Sequence, residues 1–524
     1  MGRVSIEAKN LNKTIGHKTL LKDVSFSVNH GEKTALVGLN GCGKSTLIKI
    51  LAGIDEEYAG NISIIPARAK VGYLPQWIEF EDVSVKSVLD KALDKALISE
   101  KWEREIAAGK VLEEVNLGRI PLNQSAARLS GGEKTRLCLA CLLIEEPEFL
   151  LLDEPSNFLD IEGLRQIESF IRNSPCGILF VSHDRHLMDA AAGRVIELEE
   201  GKITEYSGNY SFYRSEKQAA REQLFEEYRI QQREIKRLKS LAAREKGFAK
   251  RAGKGPDPGK CVAVVDWGYI GAKAAKHDKK AKAIEKRIER MEKVELPKRN
   301  YMADIRFEGN ATSRIVAKAE NLVKSFGERT LYSNVDFTIT AGEKTGILGP
   351  NGSGKTILLK ILQGKEQPSS GSTFLLNDSR VGYFSQIFES LNPQLTAVTQ
   401  IMESTGLNLW DARQTMASFL FFEDDVFKKV ENLSIGEKSR LALACIKAAN
   451  PEAIILDEPT NHLDVQTAEI LENALREYPG TVIIVTHDRR LLDNLAEKLL
   501  IISGKKIINY PGKYSEWAEK NNFD

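Results

Sequence analysis

An internal repeat is the feature that most constrains how this 524-residue chain can fold. The stretch LDEPSNFLD at 152–160 returns as LDEPTNHLD at 456–464, 304 residues later. A repeat of this length indicates a duplicated domain of about 200 residues rather than a short-period solenoid. Three further motifs recur in the same order: GLNGCGKST (38–46) as GPNGSGKTI (349–357), LSGGEKTRLCLA (129–140) as LSIGEKSRLALA (433–444), and VSHDR (181–185) as VTHDR (485–489).

Each copy contains a glycine-rich loop of the form G-x-x-x-x-G-K-[ST] between a strand-like apolar run and a predicted helix. Such a loop cradles phosphates, because its backbone N–H groups and the helix N-terminus point at them. We expect Lys44 and Lys355 to bind the β- and γ-phosphates of a nucleotide. The predicted nucleotide-binding residues of the two loops are Gly38, Asn40, Gly41, Gly43, Lys44, Ser45 and Thr46, and Gly349, Asn351, Gly352, Gly354, Lys355 and Thr356.

FLLLDEP and AIILDEP predict buried strands that end in two acids. A buried parallel strand is a continuous apolar run, and ligands bind beyond the carboxyl ends of such strands. Aspartate at this edge suits Mg²⁺, which binds oxygen ligands and keeps part of its water shell. The predicted Mg²⁺ ligands are Ser45, Gln76 and Asp153 in the first copy, and Thr356, Gln386 and Asp457 in the second.

Glutamates 154 and 458 follow these aspartates, and a histidine lies 29 residues beyond each of them. A glutamate here suits a base that polarises the attacking water, and the histidine could orient that water and the γ-phosphate. An isolated histidine is usually structural, but identical spacing in both copies favours function. The predicted catalytic residues are therefore Glu154, His183, Glu458 and His487.

With LSGGE at 129–133 added to these motifs, the sequence resembles tandem ABC ATPases of the F subfamily. In that subfamily two nucleotide-binding domains share one chain without a transmembrane domain, and ATP lies between the phosphate loop of one cassette and the signature of the other. The start of a signature helix would offer N–H donors and a positive dipole end to the γ-phosphate. The resemblance implies one site that combines Lys44, Asp153 and Glu154 with Ser434 and Gly436, and another that combines Lys355, Asp457 and Glu458 with Ser130, Gly131 and Gly132.

The resemblance thus implies an α/β fold with two tandem P-loop ABC ATPase domains joined by an α-helical hairpin linker, and ATP and Mg²⁺ as cofactors. We place the first domain at 1–207, the linker at 208–312 and the second domain at 313–524. The cassettes would pair within one chain, so we expect a monomer.

Three departures from the family pattern distinguish the two copies. The second signature has Ile435 where glycine is usual, and Phe158 stands where the second copy has His462. The adenine-stacking aromatic is Phe326 in the second copy, whereas Ile15 occupies the matching place in the first. Our hypothesis is that the site containing Lys44 turns over more slowly.

The unrepeated middle of the chain carries a strong positive charge. Residues 214–299 contain 25 Lys and Arg against 13 Asp and Glu, although the whole chain has a net charge of +1. Apolar residues at helical spacing predict helices over 211–251 and 272–296 that pair as an antiparallel hairpin, with a non-helical stretch at 253–271. Basic residues neutralise phosphates, and interleaved Phe248, Trp267 and Tyr269 could stack on unpaired bases.

In the resembling family this linker reaches toward the peptidyl-transferase centre of the ribosome, so rRNA or tRNA is the implied partner. The alternative is a charged hairpin that merely spaces the cassettes. Some members of that family carry a large arm inserted in the first cassette. Here the segment from Gln76 to Ser130 is only six residues longer than its counterpart from Gln386 to Ser434, which leaves no room for a long arm. A long linker with a short arm resembles the antibiotic-resistance branch of that family, which implies ribosomal protection, while a housekeeping translation factor would share every motif.

Other classes of protein fit the sequence less well. Scattered cysteines, an N-terminus without the apolar core of a signal peptide and apolar runs far shorter than a membrane span predict a cytoplasmic protein. A transporter motor subunit with separate membrane partners stays open, but it would have no use for the basic hairpin. A DNA-handling ATPase also stays open, although no zinc motif is visible.

Overall fold

The computed structural model describes residues 4–118, 120–157, 159–253, 267–291, 307, 315–376, 380–385, 388–461 and 463–521. The chain divides into two compact units, Met1–Tyr213 with Met302–Asp524, and Arg214–Tyr301. We call the described residues up to Tyr213 the first cassette and those from Ile315 onward the second cassette. Both cassettes belong to the same unit, and the domain boundaries predicted above remain predictions.

Each cassette is built around a six-stranded sheet in which five strands are parallel and the last is antiparallel. The central strands are continuous apolar runs because both of their faces are covered, in the first cassette one by several helices and the other by the helix Lys44–Leu51 and an antiparallel sheet. Phe149–Asp153 is buried along its whole length. The first sheet has the order β5-β6-β7-β3-β8-β9, formed by β3 (Lys33–Val37), β5 (Val71–Leu74), β6 (Phe149–Asp153), β7 (Gly177–Val181), β8 (Arg194–Glu199) and β9 (Lys202–Tyr206).

The second cassette repeats this sheet with the order β14-β15-β16-β12-β17-β18. Asp457 ends a fully buried strand there, as Asp153 does in the first cassette. The repeat seen in the sequence is therefore a repeat of topology. The strands are β12 (Lys344–Leu348), β14 (Val381–Phe384), β15 (Ala453–Asp457), β16 (Thr481–Val485), β17 (Lys498–Ser503) and β18 (Lys506–Pro511).

A three-stranded antiparallel sheet precedes the main sheet in each cassette, with the orders β2-β1-β4 and β11-β10-β13. Alternating buried and exposed residues show that one face of each sheet packs on the core. The strands are β1 (Ser5–Ile15), β2 (Lys18–Asn29), β4 (Ala59–Ile65), β10 (Ile315–Phe326), β11 (Arg329–Thr340) and β13 (Ser370–Leu375).

Helices flank the sheets in the same sequence order in both cassettes. Those of the first are α1 (Lys44–Leu51), α2 (Val85–Lys95), α3 (Lys101–Glu114), α4 (Gly131–Ile144), α5 (Ile161–Asn173) and α6 (Arg185–Ala191). Those of the second are α9 (Lys355–Leu362), α10 (Ala397–Thr405), α11 (Leu409–Ser418), α12 (Ile435–Ala449), α13 (Val465–Glu477), α14 (Arg489–Leu495) and α15 (Tyr514–Lys520). Short 3₁₀ turns at Ala126–Arg128, Glu423–Phe427 and Val430–Asn432 complete the helical elements named here.

The linker forms the predicted helical hairpin from α7 (Tyr210–Gly253) and α8 (Trp267–Arg290). Cross-helix contacts join Lys246 to Glu285 at 2.7 Å and Glu245 to His277 at 2.6 Å. The second helix begins five residues earlier than predicted, because Gly268 and Gly271 weaken a helix by only about 1 kcal/mol each and do not break it. Most of the predicted non-helical stretch, 254–266, lies outside the described residues.

The two cassettes also share a core. Ile161, the first residue of α5, packs among apolar residues of the second cassette, including Leu492 and Tyr514. At the repeat-related position, Val465 packs against the core of the first cassette. These exchanged side chains hold the two cassettes face to face, which determines how their functional residues combine.

Candidate functional site

The phosphate loops require glycine at the residue just before the helix. Gly43 and Gly354 have φ angles of 109° and 101°, in the region that favours glycine. A Cβ at Gly43 would lie 3.3 Å from the Cβ of Leu20, and one at Gly354 would lie 3.0 Å from Leu331. The loop can therefore turn tightly over β2 or β11 and direct its N–H groups along the axis of the following helix.

The loop lysines are buried and point into their own loops. Lys44 Nζ donates to the carbonyl oxygens of Gly38 and Leu39 at 2.8 and 3.1 Å. Lys355 Nζ donates to Gly349 and Pro350 at 2.9 and 3.1 Å. Each ammonium group thus lies against two carbonyl oxygens of its own phosphate loop, where a loop lysine is placed to reach nucleotide phosphates.

The acidic strand ends provide oxygen ligands beside the helix start. Ser45 Oγ donates to Asp153 Oδ1 at 3.1 Å, so hydroxyl and carboxylate lie side by side. Asp457 is 1% exposed, and neither of its carboxylate oxygens has a hydrogen-bond donor within 3.5 Å among the described residues. Buried carboxylate oxygens without partners are costly unless a cation satisfies them. The donor set fits Mg²⁺, which takes one or two carboxylates and keeps several waters.

Each predicted base lies against its predicted histidine. His183 Nε2 lies 3.1 Å from Glu154 Oε1, and the His183 backbone N–H donates to Glu154 Oε2 at 3.2 Å. The matching distances between His487 and Glu458 are 3.4 and 3.3 Å. Both glutamates have positive φ angles, 55° and 49°, a strained conformation that is concentrated at functional sites.

Burial sets the protonation of these groups. It raises the pKa of Glu154 to about 7 and that of Glu458 to about 8. Burial, assisted by the charge of Lys355, lowers the pKa of His487 to about 3, so this imidazole is neutral at pH 7. A carboxylate whose pKa is raised toward neutrality is a better proton acceptor than a solvated one.

The signature helices begin with a capping box in both cassettes. Ser130 accepts a hydrogen bond from the Glu133 backbone N–H while the Glu133 carboxylate accepts from Ser130, and Ser434 and Glu437 repeat the arrangement. This capping box fixes the residue at which α4 and α12 begin and satisfies backbone N–H groups of the first helical turn. Ile435 is the first residue of α12 and is partly exposed there.

Two cavities lie between the cassettes, and each is lined by both copies. The first, about 650 Å³, joins the second phosphate loop to the first signature. Its predicted site residues are Ser130, Gly131, His183, Phe326, Asn351, Gly352, Gly354, Lys355, Thr356, Asp457, Glu458 and His487, of which His183 also lines the second cavity. Phe326 therefore lines the wall of this cavity, where a nucleotide base could stack on its ring.

The second cavity, about 610 Å³, joins the first phosphate loop to the second signature. Ile435 lines this cavity, so the departure from glycine falls at this site alone. Its predicted site residues are Asn40, Gly41, Gly43, Lys44, Ser45, Thr46, Gln76, Glu154, His183, Ser434 and Gly436.

Some predicted residues do not line these cavities. Gly38 and Gly349 accept from the loop lysines, while Asp153 bonds to Ser45 behind the cavity wall. Gly132 is buried within α4. Gln386, Phe158 and His462 lie outside the described residues.

The sequence reasoning missed several residues at these cavities. Asn157 lines both cavities, and so does its repeat partner Asn461. Asp160 Oδ2 accepts from the backbone N–H of Asn351, 3.2 Å away in the other cassette's phosphate loop. The sequence did contain a signal for these residues, because they lie in the segment that repeats at 152–160 and 456–464. We predicted roles only for the Asp-Glu pair of that segment.

Comparison with known proteins agrees with this geometry. A family model described as "ABC transporter" matches residues 21–157 and 332–461, and an extension model with the same description matches 196–255. The Energy-dependent translational throttle protein EttA of Escherichia coli K12 is 32% identical, over 95% of this chain and 92% of its own. ABC transporter F family member 5 of Arabidopsis thaliana is 31% identical, over 98% of this chain and 77% of its own.

The chain belongs to the ABC-F family. As a member with both cassettes, it binds ATP and hydrolyses it. A crystal structure containing the archaeal ribosome recycling factor aABCE1 has the same fold, with a TM-score of 0.63, 20% identity and coverage of 98% of this chain and 92% of that one. No helix in the described part of this ABC-F protein is long and apolar enough to cross a membrane.

Proposed function

We propose that this ABC-F protein acts on the ribosome in the cytoplasm, with ATP binding and hydrolysis switching its two cassettes between paired and separated states. The observation that carries the proposal is the charge of the linker hairpin. Each described Lys and Arg from Lys236 to Lys282 is exposed, whereas the apolar residues Leu238, Ala242 and Ala281 are buried between the helices. A basic surface that is not consumed by packing is suited to a phosphate backbone.

The relatives support the same function. The EttA protein, named as a translational throttle, is similar along nearly the whole of both chains. In our proposal the linker, residues 208–312, contacts rRNA or tRNA near the peptidyl-transferase centre. Phe248 is exposed on α7, with its ring centroid 5.7 Å from that of His277 and 5.5 Å from Arg244 Cζ, so an aromatic ring lies among these charges.

Within each site we propose the roles predicted above. Lys44 and Lys355 hold the phosphates, and the signature serines Ser130 and Ser434 receive the γ-phosphate of the opposite loop. Glu154 and Glu458 take the proton of the attacking water, while His183 and His487 orient that water and the γ-phosphate. Mg²⁺, held by Ser45 with Asp153 and by Thr356 with Asp457, would neutralise phosphate charge when bound.

A co-sedimentation experiment tests the ribosomal function. The Glu154→Gln, Glu458→Gln double variant should keep ATP bound and the cassettes paired. We expect it to sediment with ribosomes in the presence of ATP, with less binding when ATP is omitted. Between about 50 and 200 mM salt, affinity should fall by roughly 10³–10⁵ if 6–10 phosphates are contacted.

Matched charge variants show whether the hairpin makes the contact. The salt slope is the slope of log affinity for ribosomes against log salt concentration. Its magnitude should fall by about 3, or about 1 for each lost phosphate contact, when three hairpin lysines are changed to Gln: Lys250, Lys273 and Lys276. Three exposed lysines of the first cassette, changed to Gln in the control, should leave the slope unchanged: Lys22, Lys86 and Lys202. If no variant sediments with ribosomes at either salt concentration, the proposal fails.

We further propose that the protein protects ribosomes from bound antibiotics. The observation in favour is the short segment between Gln76 and Ser130, which contains α2 and α3 of 11 and 14 residues and no long arm among its described residues. Translation in vitro should then recover from ribosome-binding drugs when the protein and ATP are added. Unchanged drug sensitivity with altered drug-free translation would favour the alternative, a housekeeping factor, to which the similarity with EttA also points.

A further inference from the structure

Two buried arginines cross the junction between the cassettes, and ATP chemistry as described above assigns them no role. Arg185 begins α6 and is 3% exposed. Its Nη2 lies 2.7 Å from Glu472 Oε2 and 3.2 Å from Asp488 Oδ2, both in the second cassette. An arginine that is buried between two carboxylates of the opposite cassette depends on the pairing of the cassettes for its partners.

The repeat-related arginine makes the mirrored contacts. Arg489 begins α14, and its Nη2 lies 2.9 Å from Glu168 Oε2 and 3.9 Å from Asp184 Oδ2, both in the first cassette. Both arginines, both aspartates and both glutamates are separated from their counterparts by 304 residues. The contact is therefore a two-fold arrangement built from the duplicated VSHDR and VTHDR motifs.

Each aspartate divides its two oxygens between its own helix and the opposite arginine. Asp184 Oδ1 accepts from the backbone N–H groups of His186 and Leu187, which caps α6. Asp488 Oδ1 accepts from the Leu491 N–H and caps α14. The Oδ2 atoms face the arginines: Asp488 Oδ2 accepts a hydrogen bond from Arg185 at 3.2 Å, and Asp184 Oδ2 lies at the ion-pair distance of 3.9 Å from Arg489. A shift of either arginine would therefore pull on the aspartate and on the histidine before it.

The residue before each aspartate is the histidine that contacts the base. Asp488 follows His487, whose backbone and side chain both contact Glu458. We propose that Arg185 and Arg489 are positioning residues, each of which sets the His–Glu pair of the ATP site whose phosphate loop belongs to the opposite cassette. Arg185 acts on the site of Lys355, and Arg489 acts on the site of Lys44.

In this arrangement the position of the His–Glu pair in each ATP site depends on the pairing of the two cassettes. A buried ion pair contributes little net stability compared with an apolar pair, but a buried charge without its partner is strongly unfavourable. The arginines therefore favour one register of the two cassettes. A site would align its histidine only when the opposite cassette has docked, so that neither ATP is hydrolysed by an unpaired cassette.

The test measures single-turnover hydrolysis of ATP in two backgrounds. Glu154→Gln leaves only the Glu458 site active, and Glu458→Gln leaves only the Glu154 site active. In the first background, Arg185→Met should slow hydrolysis about tenfold, which corresponds to about 1.4 kcal/mol of transition-state stabilisation. In the second background the same change should have less than about a twofold effect, and Arg489→Met should show the opposite preference.

Control variants separate positioning from folding. Arg185→Lys keeps the charge and should retain most of the rate. Arg194→Met breaks ion pairs with Glu32 and Glu205 inside the first cassette and should change neither background. Equal slowing of both sites by Arg185→Met, or an Arg185→Lys rate as low as that of Arg185→Met, would overturn the proposal.

The inference rests on the proposed role of the two glutamates as bases, and the two kinds of failure can be told apart. If both single Glu→Gln backgrounds hydrolyse ATP at the unmodified rate, the assignment of the bases is wrong. If each Glu→Gln variant loses hydrolysis at its own site, but neither arginine variant slows the site of the opposite cassette, only the positioning role is wrong.

Discussion

Replacing Ile15 with Phe should strengthen ATP binding at the site of Lys44. Ile15 is 54% exposed at the end of β1, so a larger side chain meets no packed core. The second cassette shows what the change would build: Phe326 at the matching place lines the cavity, with Lys324 Nζ 4.5 Å from its ring centroid. Lys13, the counterpart of Lys324, pairs with Asp55 at 2.8 Å, as Lys324 pairs with Glu366 at 2.6 Å.

The expected size of the effect follows from base stacking. One aromatic ring stacked on a base contributes about 1–3 kcal/mol, which corresponds to about a 5- to 160-fold change in affinity at 25 °C. Ile15→Phe should tighten ATP binding within that range, and Phe326→Ile should weaken binding at the other site within the same range.

Equilibrium binding of ATP to single-site proteins measures both changes. Lys355→Met with Glu154→Gln confines stable binding to the first loop, and Lys44→Met with Glu458→Gln confines it to the second. Ile15→Leu, which adds no ring, is the matched control and should leave affinity unchanged. Unaltered affinity in both the Ile15→Phe and the Phe326→Ile proteins would refute base stacking at this position.

Three other changes have defined outcomes. Glu458→Gln should lose more steady-state ATPase activity than Glu154→Gln if the Lys44 site is the slower one, since removing a base costs about 10²–10⁴-fold at its own site; equal losses would contradict that asymmetry. Ile161→Ala should cost about 2–5 kcal/mol of the paired state, so the rise in Tm on adding ATP to a hydrolysis-deficient protein should shrink, and an unchanged rise would show that this contact is not needed for pairing. Gly60→Ala should lower Tm more than Gly16→Ala. An alanine at either position carries the roughly 1–2 kcal/mol strain of a positive φ, but only at Gly60 would the added Cβ also lie 2.4 Å from the Asn10 carbonyl oxygen. Similar losses of Tm would mean that the strand shifts to relieve the clash.

Motif spacing predicted many of the residues that line the two cavities because the physics of each motif is local. A glycine-rich loop before a helix and an apolar strand ending in Asp-Glu specify where phosphate and carboxylate groups lie within one cassette. Their repetition, together with the family resemblance, then predicted that Lys355 would face Ser130 and that Lys44 would face Ser434, as the two cavities show.

The contacts that the sequence did not reveal join residues about 300 positions apart. Arg185 and Glu472 lie in segments with no shared local pattern, and only the docking of two folded cassettes brings them together. The early start of α8 has a different cause. Glycine lowers helix propensity without excluding helix, so composition alone placed the boundary too late.

Because both halves of each cavity belong to one polypeptide, cassette pairing is a first-order process whose extent does not depend on protein concentration. The linker sets a fixed effective concentration of one cassette around the other, and dilution cannot separate them. Because both cassettes lie in one chain, the sequence of each cassette can also change independently of the other. In a homodimer, an isoleucine in the signature would enter both ATP sites at once, whereas Ile435 alters only the cavity of Lys44. One gene can therefore encode two nucleotide sites with different kinetics, a division of labour that two identical subunits could not achieve.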